Sequence, residues 1–556
     1  MNNFWDTTIP VFDYPDNFRK IYDIFYISQR KNFSNWIGKI SKVFRSDIDW
    51  WSSSVPSRNT YVSKLFHNIC ILESLKYLNK KNKFPDKVIV NSLQLKKIIN
   101  IYFKGKKIEF KKEIQWNDWI KKIYFVIIPL TFSLAIFLFS KIIKDKKSKL
   151  NKNDNYILID TFINSSNLSI VRYYDKLEKK NLKNKKNIFF VPTILYSNIF
   201  KLPILVRQIR NNLNFILKED FINFSDIIFA FNYIFRKKKF YTKHTNYKNW
   251  NLSNLIREEF SKYSDFRATL ISILNYRFAE NLCYKSIKLK KVIDWFENTT
   301  VDKGWNLGFR KFYPKTNVIG YQSFTLYRQF MCLHPSKAEY SYRVIPNEII
   351  VVGEAYKKAR REFCKEIKVS VGPALRFNHL FSYKYSSKRK YNILISLNLN
   401  VIESRKILTS VINTKYGQSG KKIFIKSHPL MSLSKIMNKE LIPKNFVELK
   451  GDFFKIVRNS RIIISAGMSS SIIESFVCGC AILIPYINKN DYYNYRYLKI
   501  PRASYKICKS ASELDNEINH FLSEKELNRK KRISKTNLLK SKLFERTTKK
   551  NLDIFS

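Results

Sequence analysis

Three short apolar runs, two ending in small, hydroxylated or basic residues and the third at a proline, constrain this chain more than any other feature. Ile423-Phe424-Ile425 leads into Lys426-Ser427-His428-Pro429. Ile462-Ile463-Ile464-Ser465 leads into Ala466-Gly467-Met468-Ser469-Ser470-Ser471, and Ala481-Ile482-Leu483-Ile484 stops at Pro485. Between the second and third runs, Ile472-Ile473-Glu474 opens a helix that ends near Cys478-Gly479-Cys480. Short apolar runs bounded by turn residues and separated by helical stretches read as buried strands of a parallel sheet. Open α/β sheets bind ligands beyond the carboxyl ends of their strands. Residues suited to phosphate fall at those ends here, so a phosphorylated ligand is expected.

The same alternation covers most of the 556 residues. Strand candidates lie at Tyr156–Asp160, Asn187–Pro192, Asp226–Ala230, Lys291–Phe296, Asn317–Tyr321, Glu348–Val352 and Lys368–Val371, with amphipathic stretches such as Phe266–Cys283 between them. The segment Phe377–Lys390, rich in Lys, Ser and Tyr, interrupts the series. A second series follows at Ile393–Leu397, Ile423–Ile425, Val447–Leu449, Arg461–Ser465 and Ala481–Pro485. The expected fold is α/β, with two Rossmann-type parallel-sheet domains facing a cleft. Its expected parts are an aromatic, helical N-terminal portion of the first domain (1–120), an apolar segment with basic flanks (121–150), the rest of the first domain (151–385), the second domain (386–525) and a basic C-terminal helix or tail (526–556).

Individual residues carry the expected chemistry. An imidazole at His428, held extended by Pro429, can donate a hydrogen bond to a phosphate oxygen, and Lys426 adds positive charge beside it. Ser469, Ser470 and Ser471 sit where the next helix starts, so hydroxyls and unpaired backbone N–H groups converge there. An ordinary helix cap would need only one of the three. Glu474, one turn further, either bonds ribose or sugar hydroxyls or complements the helix dipole. Asp294-Trp295-Phe296-Glu297-Asn298 ends a strand of the first series. That puts Glu297, with Asp302 close behind, at the cleft rim as a candidate general base, against a purely structural carboxylate. Asp47-Ile48-Asp49 has the spacing of a metal-binding acidic pair but no strand before it. No metal or other cofactor is therefore expected, and the basic site would neutralise the phosphate instead. His334-Pro335 lacks both a strand and a serine partner and reads as structural or cleft-lining. The segment from Asp49-Trp50-Trp51 to Arg58-Asn59-Thr60 either binds an acceptor sugar by stacking or packs the N-terminus onto the body.

The pairing of Lys426-Ser427-His428-Pro429 with Ser469-Ser470-Ser471 resembles the His-Pro and Ser-Ser motifs of bacterial sialyltransferases and capsule Kdo-transferases of GT-B fold. The resemblance implies a GT-B architecture in which His428 and the serines hold the phosphate of a cytidine nucleotide. Those families place an adjacent acidic pair followed by glycine in the first domain. Glu297 and Asp302 are not adjacent, and Gly304 fits only loosely. More broadly the chain resembles bacterial surface-carbohydrate biosynthesis proteins, through Asp49-Trp50-Trp51, Arg58-Asn59-Thr60, Phe296-Glu297-Asn298, Ile319-Gly320-Tyr321-Gln322 and Val371-Gly372-Pro373-Ala374-Leu375-Arg376. The activity implied is sugar transfer, with inversion, from a nucleotide-activated donor to a surface polysaccharide or lipid-linked glycan. Polyol-phosphate transfer and nucleotide-sugar epimerisation use a similar phosphate cradle. A non-enzymatic protein binding anionic membrane or nucleic acid is the third reading.

Ile123–Ser140 carries no charge over 18 residues and is bracketed by Lys121 and Lys122 before it and by Lys141, Lys144, Lys146, Lys147 and Lys149 after it. That is the short edge of a membrane span, and basic residues on both sides give no orientation. If Phe84–Asn91 and Asn155–Asp160 were strands of one sheet, a single pass would separate them. A membrane-dipping or interfacial segment is therefore expected, with a buried core helix as the alternative. The chain holds 102 Lys plus Arg against 44 Asp plus Glu, a formal net charge of +58. Solvated lysines and an anionic membrane surface both account for this. No zinc-finger spacing or RNA-recognition motif supports nucleic acid as a partner. Seven scattered cysteines without paired spacing, and an N-terminus with neither a basic start nor an apolar core, point to the cytoplasmic face of an inner membrane.

Overall fold

A computed structural model of the protein describes residues 3–556, apart from 112–117, 145–149, 164–186 (Tyr173, Tyr174 and Leu177 excepted), 196–197, 213, 242–244, 327, 329, 384–388, 430, 467–469 and 486–504. In chain order the strands are β1 (Phe4–Asp6), β2 (Lys87–Val90), β3 (Lys107–Phe110), β4 (Asn155–Ile163), β5 (Ile188–Ile194), β6 (Asn246–Tyr247), β7 (Trp250–Asn251), β8 (Lys288–Trp295), β9 (Asn317–Gln322), β10 (Glu348–Val351), β11 (Lys368–Val371), β12 (Tyr391–Ser396), β13 (Ile423–Lys426), β14 (Phe446–Glu448), β15 (Ser460–Ile464), β16 (Ala481–Pro485) and β17 (Tyr505–Cys508).

Two six-stranded sheets, each parallel throughout, form the body. Their orders are β11-β10-β9-β8-β4-β5 and β14-β13-β12-β15-β16-β17. The chain reverses its direction of sheet growth between β4 and β8 in the first and between β12 and β15 in the second. Those switch points are where such sheets leave a crevice for ligand. The strands read as unbroken apolar runs because helices cover both faces. In β15, Ile462, Ile463 and Ile464 are all fully buried. Pro192, which has no N–H for a ladder, lies in β5 at a sheet edge. The two-domain parallel-sheet architecture expected from the sequence is the one observed.

One expected strand is a helix. Asp226–Ala230 lies within the helix Phe224–Phe231, which a reciprocal capping box starts: the Asn223 N–H donates to Asp226 Oδ2 at 2.8 Å. A five-residue apolar run cannot tell strand from buried helix, and the cap decides it. β1, β3 and β17 had no sequence expectation. β1, β2 and β3 form a separate three-stranded parallel sheet.

The Trp-rich segment packs the N-terminus rather than lying open. Trp50 and Trp51 are fully buried, and their indole N–H groups donate to Ser41 Oγ and the Arg45 carbonyl. Asp47 caps the helix Ile48–Trp51, and Asp49 accepts two hydrogen bonds from the Arg236 guanidinium at 2.7 Å each. Arg58 reaches across to Glu339 at 2.6 Å, and Lys303 meets the same carboxylate at 2.6 Å. His334 is wholly buried, with Nδ1 3.0 Å from both the Ala359 carbonyl and Glu362, so the second His-Pro is structural.

Helix Phe266–Tyr284 crosses helix Thr300–Phe312 at Gly304, where an added Cβ would stand 1.7 Å from the Ser272 carbonyl oxygen. Gly304 therefore serves helix packing. Gly304→Ala is expected to cost about 1–3 kcal/mol as the helices are forced apart. A lowered urea midpoint would show it. All nine tryptophans lie between positions 5 and 305, so their fluorescence reports this half of the chain alone.

The apolar segment forms one helix over Trp119–Ile142, long and apolar enough to cross a membrane. The premise used against a single pass does not hold, because β2 and β4 belong to different sheets. Val126, Ile136, Phe137 and Ser140 are buried against the body, and Arg210 donates to the Ser140 and Ile143 carbonyls, both at 2.8 Å. The helix lies on the first domain with its remaining face outward.

The C-terminal helix Glu526–Leu543 packs on the second domain, and the chain then returns to the first. Glu545 N–H donates to the Val352 carbonyl, Lys291 Nζ donates to the Ile554 carbonyl, and Phe555 packs edge-on to Tyr321.

Candidate active site

At the switch point of the second sheet, Ser396 ends β12 and Ser465 follows β15. Ser465 Oγ donates to the Ser396 carbonyl at 2.8 Å, and Ser396 Oγ lies 3.2 Å from Ser471 Oγ. Asn398 pins the loop after β12: its side-chain amide donates to the Ala466 carbonyl at 3.2 Å and to Glu403 at 2.6 Å. Lys426 stands opposite Ser396 in the β12–β13 register, and Leu397 N–H donates to the Lys426 carbonyl. His428, two residues further, is partly exposed and its carbonyl accepts from Met431 N–H. The intervening Ser427 is turned away, bonded to Glu448 at 2.5 Å. The structure thus puts Ser396 beside Ser471, with Lys426 opposite Ser396 on the neighbouring strand and His428 two residues beyond it.

The helix Ser470–Val477 begins at this point, and Ser475 Oγ donates back to the Ser471 carbonyl at 2.6 Å. Ser469 lies outside the described residues. Ser470 is placed by its backbone as the first helical residue. Glu474, one turn in, lies 3.8 Å from His379. His379 belongs to the short helix Leu375–Phe381 that joins the two domains, and it packs edge-on to Phe454.

The same joining helix carries Arg376, whose charge acts on Glu297 at the end of the first sheet. Glu297 follows β8, is partly exposed, and accepts from Trp295 Nε1 at 3.2 Å. Its neighbour Asn298 has φ 59°, a left-handed turn that asparagine tolerates. The Asn298 amide is fixed to the Cys332 carbonyl at 2.7 Å. Buried Arg360 ties the turn down from behind, donating to Gln322 at 2.8 Å and to the Phe296 carbonyl at 2.9 Å. Burial pushes the Glu297 carboxyl above the ordinary range, against the opposing pull of its Trp295 hydrogen bond and of Arg376 and Arg360.

Asp302 is placed differently. It is buried and closes the cap of helix Thr300–Phe312, accepting from Thr299 N–H at 2.6 Å. Burial, with Glu297 next, pushes it up to about 7. Two carboxyls with no sequence expectation stand beneath: Asp160 and Asp294 follow the paired residues Ile159 and Ile293 on adjacent strands. Burial raises both, and Asp302 adds to each. Glu297 is the member of this acid column that reaches the surface.

Ser396, Ser465 and Asn398 were not singled out from the sequence, although Ser396-Leu397-Asn398 repeats the pattern of an apolar strand ending in polar residues. Arg360 and His379 had no local signal, and Arg376 entered only as the end of the 371–376 motif, with no role assigned to it. Only the fold brings them to the strand ends.

No family model and no curated protein matches the sequence. Solved structures resemble the fold at low identity. A chain of the GtfA/B complex is 11% identical with a TM-score of 0.34, over 48% of this chain and 57% of that one. Arabidopsis thaliana UGT89C1 complexed with UDP-L-rhamnose is 10% identical with a TM-score of 0.42, over 73% of this chain and 98% of that one. Anabaena Alr3699/HepE in complex with UDP is 10% identical with a TM-score of 0.40, over 70% and 96%.

Proposed function

We propose that this chain is a glycosyltransferase of GT-B architecture, taking a sugar from a nucleotide-activated donor to a glycan or lipid-linked acceptor. The observation that carries the reading is Ser396 beside Ser471 at the switch point of one parallel sheet, with Lys426 opposite Ser396 on the next strand, while Glu297 follows the strand at the corresponding point of the other. In this reading residues 386–525 hold the donor. Lys426, His428 and the hydroxyls of Ser469–Ser471 bind the leaving phosphate, with cationic and N–H groups doing the work a metal does elsewhere. Glu474 holds ribose or sugar hydroxyls. Residues 151–385 hold the acceptor, and Glu297 takes its proton. Asp302, committed to its cap, supports Glu297 electrostatically. Direct attack by one hydroxyl inverts the anomeric centre. The resemblance to sialyl- and Kdo-transferases favours a CMP-linked donor and a surface polysaccharide product, made at the cytoplasmic face of the inner membrane.

The test is thermal denaturation with CMP, CDP, UDP, GDP and their sugar conjugates. At a hundredfold excess over Kd, one nucleotide should stabilise the protein by about 2.7 kcal/mol, and His428→Ala should remove most of that gain. Product analysis then separates the alternatives. A phosphodiester product indicates polyol-phosphate transfer, and isomerised nucleotide sugar without acceptor indicates an epimerase. No nucleotide shift, together with binding that collapses with salt and ignores His428→Ala, indicates a basic binding protein.

A further inference from the structure

Beside the C-terminal end of the apolar helix Trp119–Ile142 lies a cavity of about 660 Å³ that is remote from the donor site. Its lining includes Lys141, Lys144, Lys152, Arg210 and Lys285, with Asp220 as the one carboxylate among the described residues. Asp220 is already committed, since both terminal nitrogens of Arg210 hold it at 2.6 Å. Arg210 also caps the last carbonyls of the apolar helix, at Ser140 and Ile143, so the negative end of that helix does not offset the cations. Lys141 Nζ donates to the Glu219 carbonyl at 2.9 Å. Lys144, Lys152 and Lys285 are exposed around the mouth.

The helix leading into this pocket turns an apolar face outward: Ile128, Leu138 and Ile142 are 51%, 56% and 73% exposed. It packs on the helices Leu202–Asn211 and Phe224–Phe231, which expose Ile204 and Phe224. Twenty-four helical residues span about 36 Å. The helix runs alongside Phe266–Tyr284, with Phe132 under Arg267 near one end and Lys141 near Lys285 at the other. A long apolar face ending in a cation-lined pocket has the chemistry of a bilayer boundary, where acyl chains meet the helix and a phosphate meets the lysines.

We infer that this face is a monotopic membrane-docking surface whose pocket receives the phosphate headgroup of an anionic phospholipid. The inference stands apart from the sugar-transfer reading and survives its failure.

The test is flotation of the full-length protein with phosphatidylglycerol and phosphatidylcholine vesicles. Phosphatidylglycerol should be preferred, and Lys144→Gln with Lys285→Gln should weaken that binding about thirtyfold. Lys421→Gln with Lys422→Gln, the same charge change on exposed lysines of the second domain, should alter it less than twofold. Leu138→Asp with Ile142→Asp should abolish flotation while leaving the tryptophan-monitored urea midpoint in place. Equal losses from the two lysine pairs would reduce the effect to net charge and overturn the pocket. Equal binding to the two lipids would overturn the headgroup. A free-phosphate site would be indicated instead by inorganic phosphate protecting the protein against unfolding with no flotation on either lipid.

Discussion

Glu297→Gln is expected to lower sugar transfer about 10²- to 10⁴-fold while leaving nucleotide binding intact, the range over which a positioned general base acts. The wild-type activity should rise with pH along an acid limb lying above the ordinary carboxylate range, because burial favours the protonated form of Glu297. The variant should lose that limb. Stability should move the other way. A carboxyl whose pKa is raised on folding binds its proton more tightly in the folded chain, so its ionisation works against stability as pH climbs from the unfolded value through the folded one. Glu297→Gln should therefore be at least as stable as the parent at neutral pH. Reduced turnover together with a lowered urea midpoint would assign Glu297 a structural role, and unchanged turnover would remove it as the base.

Glu339→Gln is expected to destabilise the N-terminal half by about 3–5 kcal/mol, the cost of leaving buried charges without their partner. Glu339 is buried, holds Arg58 and Lys303 at 2.6 Å each, and accepts from Ser336 N–H at 2.7 Å. Burial alone would raise its pKa, but the two cations override that and hold it below the usual glutamate range. The sign is opposite to that of Glu297. The stabilisation is present above the unfolded carboxylate range and is lost as pH falls through the depressed folded value. Tryptophan fluorescence in urea measures it selectively, since no tryptophan lies beyond Trp305. Replacing Arg58, Lys303 and Glu339 together by apolar residues of similar size should recover much of the loss, because no lone charge then stays buried.

Legibility in the sequence followed the range of the interaction. The second sheet was readable because β12, β13 and β15 are apolar runs closed by polar residues and β16 is one closed by Pro485, and each run reports its own burial. Ser471 could be placed at a helix start for the same reason. The Asp226–Ala230 run misled because its five residues carry no period, and the capping box that settles it lies partly outside them. The Trp50-Trp51 segment left two readings open. Stacking on a sugar and packing in a core use the same side chains, and only the Ser41 and Arg45 partners separate them.

The sequence by itself determined that two parallel sheets would form, which apolar runs would end in hydroxylated or basic residues, and that an apolar segment would interrupt the first half. These properties follow from local apolar period and turn chemistry. The tertiary structure decided which strand ends meet. Asp160 and Asp294 are 134 positions apart and become neighbours only through the β4–β8 register. Glu297 and Glu474 approach a common junction only because the helix Leu375–Phe381 carries Arg376 toward one and His379 toward the other. Which side of the apolar helix packs on the protein was likewise set by its neighbours, since Arg210 and the buried side of the helix hold it to the first domain. Those pairings depend on strand order and helix contacts between distant segments, and a one-dimensional pattern of hydrophobicity does not encode them.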